Sequence, residues 1–107
     1  MNLHIINETN DLVSIILGIA TDLGPKPSLE NCIDPKTRLS IINNEYPVEK
    51  ECINEIEMFE KKLKKYKIQV LRPKNILNLS QIFSRDIAFV IENKIFIPEI
   101  IKERNNE

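Results

Sequence analysis

Apolar residues gather in five segments along the chain, and their spacing predicts the elements. Leu12-Val13-Ser14-Ile15-Ile16-Leu17-Gly18-Ile19 is a short, nearly continuous apolar run rich in β-branched residues. It predicts a buried strand covered on both faces. Across 21–47 the periodicity disappears. Gly24-Pro25-Lys26-Pro27, Asp34-Pro35 and Asn43-Asn44 predict a long loop there, because proline fixes φ and pushes the residue before it away from helix. A loop of that length inside a small domain is usually either functional or disordered.

Pro47 is expected to open a helix over 47–66, since a missing N–H costs nothing at the first helical position. Val48, Cys52, Ile56, Phe59, Leu63 and Tyr66 recur at spacings of three and four and form one apolar stripe. Glu57–Lys61 and Glu60–Lys64 are favourable i,i+4 pairs. Acids crowd the first turns and lysines the last, as the helix dipole favours. The cluster Lys61, Lys62, Lys64, Lys65 and Lys67 reads as a solvated helix end rather than a basic binding patch.

A strand is predicted over 67–71, stopped by Arg72-Pro73. Two further apolar segments, 87–91 and 95–97, predict a hairpin. Its loop is expected to be Glu92-Asn93-Lys94, with Asn93 in the left-handed position. Pro98 ends the second strand, and 99–107 reads as the start of a helix. Strand, helix, strand is the rhythm of an α/β fold. With no repeat and no linker in view, 1–107 is expected to be a single domain.

Composition narrows the function. Of the 107 residues, 42% are apolar and 29% charged, which suits a folded soluble unit. Fifteen Lys and Arg against sixteen Asp and Glu give a net charge of −1, which argues against a nucleic-acid partner. Tryptophan is absent, and four Phe with two Tyr leave little material for base stacking. The run 12–20 lacks a preceding basic region and is too short to span a bilayer. No membrane partner is therefore expected, and the expected compartment is the cytoplasm. Cys32 and Cys52 have neither CxxC spacing nor a nearby histidine, and His4 is the one histidine. These residues predict no metal site, no disulfide scaffold and no self-contained nucleophile–base pair.

The stretch Gln81-Ile82-Phe83-Ser84-Arg85-Asp86 followed by 87–91 reads as a polar loop delivering Arg85 and Asp86 to the mouth of a strand. That is a natural ligand-reading position, because the strand holds the residue while the loop leaves it accessible. Ordinary salt bridging at a strand end is the competing reading. The segment Gln-Ile-Phe-x-Arg-Asp-x-x-Phe-Val-Ile, then Asn-Lys-Ile-Phe-Ile-Pro, then Arg104-x-x-Glu107 resembles the N-terminal region of amidinotransferases and arginine deiminases. These proteins belong to the guanidino-group-modifying pentein superfamily, with the dimethylargininases. The resemblance extends upstream through Asn7-Glu8, Leu12-Val13-Ser14-Ile15-Ile16-Leu17-Gly18, Asp34-Pro35-Lys36, Glu45-Tyr46-Pro47-Val48-Glu49 and Arg72-Pro73.

The resemblance implies a partial α/β propeller: about one ββαβ-type module with flanking elements, from a ring of such modules around a polar channel. It implies that Asp86 faces the channel and binds the substrate guanidinium, for which a carboxylate offers two parallel acceptors and a compensating charge. It implies that Arg104 clamps the substrate α-carboxylate; an i,i+3 pair with Glu107 is the alternative for this residue. Gln81 and Arg85 would flank the site as supporting groups. The family's chemistry uses a cysteine nucleophile and a histidine acid–base from later modules, and needs no cofactor. Cys32, Cys52 and His4 do not occupy those positions. The expectation is therefore an N-terminal portion that contacts arginine or another guanidino compound but is catalytically inactive alone. Its partner would be the C-terminal part or a second copy. A non-catalytic guanidino-binding module and a structural interaction protein are the alternatives. Hydrolysis and amidino transfer both remain open.

Overall fold

The computed structural model describes residues 3–104 and 106. These form a mixed α/β chain with two helices and two separate two-stranded sheets. Strand β1 (Ser14–Ile16) pairs in parallel with β2 (Gln69–Leu71), Ile15 opposite Val70. The pairing extends one bond further at each end, from the Gln69 N–H to the Val13 carbonyl and from the Leu17 N–H to the Leu71 carbonyl, both 2.9 Å. The strand is therefore shorter than the apolar run 12–19, and the run is not covered on both faces: Leu12 and Val13 before the strand and Ile16 within it are exposed. The buried part lies just beyond it. Leu17, Ile19 and Ala20 are buried together with Leu63, and among the described residues they are the whole hydrophobic core.

The expected loop 21–47 contains a helix, α1 (Pro35–Ile42). Asp34 and Pro35, which read as a turn, act instead as N-cap and first helical residue. Asp34 Oδ2 accepts the Thr37 N–H at 2.7 Å and the Thr37 hydroxyl at 2.9 Å. Those bonds hold the Asp34 carboxyl below its ordinary range, the Thr37 N–H having the largest effect.

Helix α2 (Glu49–Lys65) is the long helix of the 47–66 stretch. Pro47 does not open it: Val48 is the N-cap, and it lacks a capping side chain. The Glu49 carboxylate turns away to accept the Leu23 N–H at 3.1 Å. Of the apolar stripe Leu63 is buried, while Val48, Phe59 and Tyr66 are exposed. Glu60 forms the expected pair with Lys64 and adds a second with Arg72 at 3.3 Å. The Lys64 hydrogen bond, and then the two cationic charges, lower its pKa.

The end of α2 explains why β2 starts later than 67. The Ile68 N–H bonds the Leu63 carbonyl at 3.2 Å and the Lys67 N–H bonds the Lys64 carbonyl at 2.9 Å. Lys67 sits at φ 61°. This is a Schellman ending with lysine where glycine is usual, and it turns the chain back so that β2 packs on α2.

Strands β3 (Phe89–Ile91) and β4 (Lys94–Phe96) form an antiparallel hairpin, with Phe89 and Phe96 stacked at 5.3 Å between ring centroids. Its loop has two residues, Glu92 and Asn93, and Glu92 rather than Asn93 takes the positive φ, 54°. Glu92 is fixed there by exchanging both backbone bonds with Ile5, at 2.9 and 2.6 Å. A 3₁₀ turn (Ser84–Asp86) precedes β3, so residues 87 and 88 of the expected strand belong to the connection. In the expected C-terminal helix the described element is a single 3₁₀ turn (Lys102–Arg104). No helix of the described residues is long and apolar enough to cross a membrane.

The two depressed carboxyls set a pH dependence. Groups whose folded pKa is lowered add stability that is complete above the ordinary carboxylate range and is lost as pH falls through their depressed values. Urea midpoints should be flat from pH 7 to 5 and should drop below about pH 4. The Asp34→Asn/Glu60→Gln double variant should lose part of that drop. An unchanged acid limb in the variant would contradict the assignment.

Candidate functional site

The segment 81–86 is held against β1 by backbone and side chain. The Ile19 N–H donates to the Gln81 carbonyl at 3.0 Å, and the Ser84 hydroxyl donates to the Ile16 carbonyl at 2.9 Å. Gly18 lies against the backbone of Gln81 and Ile82. Beyond these anchors the 3₁₀ turn presents Asp86 three residues before β3. The Asp86 N–H closes the turn on the Phe83 carbonyl at 3.1 Å.

Asp86 holds two guanidinium groups. Arg104 Nη1 donates to Oδ2 at 3.3 Å, and Arg85 Nε lies 3.7 Å from Oδ1. The side chains of Asp86 and Arg104 are 38% and 33% exposed, against 91% for Arg85. The Arg104 contact is thus half-sheltered, whereas the Arg85 contact stands in solvent, where such pairs add little. Asp86 and Arg104, which the sequence motif places at separate tasks, are together in space. The proposed alternative partner of Arg104, Glu107, lies outside the described residues.

Gln81 has a different position from the one its motif suggests. Its Oε1 accepts the Ile76 N–H at 2.8 Å and its Nε2 donates to the Lys74 carbonyl at 3.1 Å. It pins the 74–76 loop rather than supporting the Asp86 carboxylate. Ser84, which the motif leaves as a variable position, anchors the turn to β1. Only the tertiary contact reveals that role.

Two concavities adjoin the segment. An open groove of about 1100 Å³ has Ser84 and Arg85 on its wall, but it is lined chiefly by apolar side chains such as Ile6, Leu12, Ile15 and Phe89. Asp86 is accessible without being one of its lining residues. A second cavity, about 750 Å³, lies between α1, α2 and residues 80–83, and Cys52 and Glu55 line it. Burial, and then the Glu55 charge, push the Cys52 thiol up, which makes it a poor nucleophile. Cys32 donates its thiol hydrogen to the Asp34 carbonyl at 3.4 Å. His4 lines the apolar groove, so it and Cys52 belong to different concavities. Among the described residues, no group of three His, Cys, Asp or Glu side chains is placed to hold a metal ion. No protein-family model, curated protein or solved structure matches the chain.

Proposed function

We propose that the chain is the N-terminal portion of an amidinotransferase-like protein of the α/β-propeller class, and that Asp86 receives the substrate guanidinium. One observation carries this reading: Asp86 already binds a guanidinium, that of Arg104, from an accessible position just before β3. A carboxylate placed there accepts N–H donors on both oxygens and neutralises the charge of the group it binds. In this reading an arriving arginine takes the place of the Arg104 side chain. Arg104 then meets the substrate's α-carboxylate with its planar fork. The motif 81–91 and the sequence Arg104-x-x-Glu107 support the assignment to the family. Cysteine and histidine for the covalent step would come from the remaining modules, the chain's natural partner. Cys52 and His4 line different concavities and are not paired for that work.

A non-catalytic interaction protein is the second reading, favoured by the many apolar side chains left in solvent. Calorimetric titration separates the two. Arginine should bind weakly, in the millimolar range set by a half-exposed ion pair. Citrulline, which keeps the shape but not the charge, should bind much less. Asp86→Asn should weaken arginine binding by about fivefold or more, the equivalent of ~1 kcal/mol at a partly exposed site. Equal binding of citrulline, or an unaffected Asn variant, would remove Asp86 from the role.

A further inference from the structure

A folded monomer of this mass, 12.5 kDa, exposes about 6,200 Å², whereas this chain exposes 8989 Å². Its radius of gyration is 15.7 Å, against about 13 Å for a compact chain of this length. The excess of roughly 2,800 Å² compares with about 800 Å² per partner in a standard interface and up to about 2,500 Å² per partner in an obligate dimer. The chain thus leaves uncovered the area that a permanent partner would cover.

The hairpin carries one part of that uncovered surface. All three residues of β4 are exposed, and Ile97 directly after it is 79% exposed. Ile95, Phe96 and Ile97 form an uncharged apolar row, bracketed by Lys94 and Pro98. Among the described residues β4 has β3 on one side and no strand on the other, so its outer N–H and C=O groups form a free edge. A two-stranded hairpin is marginal by itself, and three or more strands with an apolar face are needed for independent stability. An exposed apolar edge is also the template on which another strand adds.

We propose that the free edge of β4 pairs antiparallel with β4 of a second copy, making a two-fold dimer with a continuous four-stranded sheet. A second copy is the occupant this edge fits. Antiparallel pairing about a two-fold axis is self-complementary, so one patch serves both partners. The alternating Ile95 and Phe96 then extend the apolar faces of both hairpins across the junction. A net charge of −1 adds almost no repulsion between copies. This dimer does not depend on the guanidinium reading of Asp86.

Light scattering coupled to gel filtration should give twice the 12.5 kDa chain mass at micromolar concentration. Ile95→Lys and Ile97→Lys, both at exposed positions, should return the mass to one chain with the far-UV spectrum unchanged. Hydrogen exchange of the wild type adds a readout that no variant can spoil: the β4 amides facing away from β3 should be protected. A monomer at all concentrations, polydisperse aggregates, a dimer that survives both lysines, or freely exchanging outer β4 amides would each overturn the proposal.

Discussion

Replacing Gly18 with alanine should cost about 3 kcal/mol or more, at the upper end of what overpacking does. A Cβ at this position would land on the carbonyl oxygens of Ile82 and Gln81. The obstacle is backbone, so no side chain can rotate away. That backbone cannot retreat cheaply either, because the Gln81 carbonyl accepts the Ile19 N–H at 3.0 Å and Ser84 is tied to Ile16 at 2.9 Å. Glycine is required here by close approach rather than by handedness. A domain of this size has a total stability of about 5–15 kcal/mol, so the substitution removes a large share of it. The midpoint of thermal unfolding should fall by roughly 12 °C or more. A fall of less than about 2 °C would show that segment 81–84 does not lie against β1 as described.

Leu63→Ala should cost about 2–5 kcal/mol, and Phe59→Ala less than about 1 kcal/mol. Both residues lie on the same apolar stripe of α2, and phenylalanine is the larger of the two. Leu63 is buried, where the helix end turns into β2, while Phe59 is about half exposed. Removing Leu63 leaves a cavity at a buried position. Removing Phe59 leaves a surface already in contact with water. Denaturant unfolding of the two variants gives the comparison directly. Equal losses would mean that the stripe is covered along its whole length.

That contrast shows what the sequence could and could not reveal. Periodicity located α2 to within two residues at its start and one at its end, and it found the strand that becomes β2 and the hairpin β3–β4. It says which face of an element is apolar, but not whether anything covers it. The expected enclosure of the run 12–19 therefore fails at Leu12, Val13 and Ile16, while Leu17 and Ile19 are buried. Helix α1 was hidden because Asp-Pro opens turns and helices alike; Thr37, two residues after the proline, supplies the donors that make Asp34 a cap. At the hairpin, Asn93 is the better intrinsic left-handed residue, yet the Ile5 bonds hold Glu92 in that conformation. Non-local pairing overrode local preference there.

The candidate site divides in the same way. Asp86 could be singled out from its position before an apolar strand and from its motif. Its contact with Arg104 spans 18 residues, and no local pattern encodes it. Gln81 stood in the motif as a neighbour of the site, but its amide is committed to the 74–76 loop at both ends. A motif preserves order along the chain. The direction a side chain takes depends on which backbone groups around it need partners.

An NMR titration of the isotope-labelled chain with L-arginine tests whether Asp86 receives a guanidinium. The amides of the 3₁₀ turn from Ser84 to Asp86, and that of Arg104, should shift progressively and saturate together as the ligand displaces the Arg104 side chain. The same titration with citrulline should leave them in place. Arginine-induced shifts confined to other parts of the chain, or none at all up to tens of millimolar, would contradict the account.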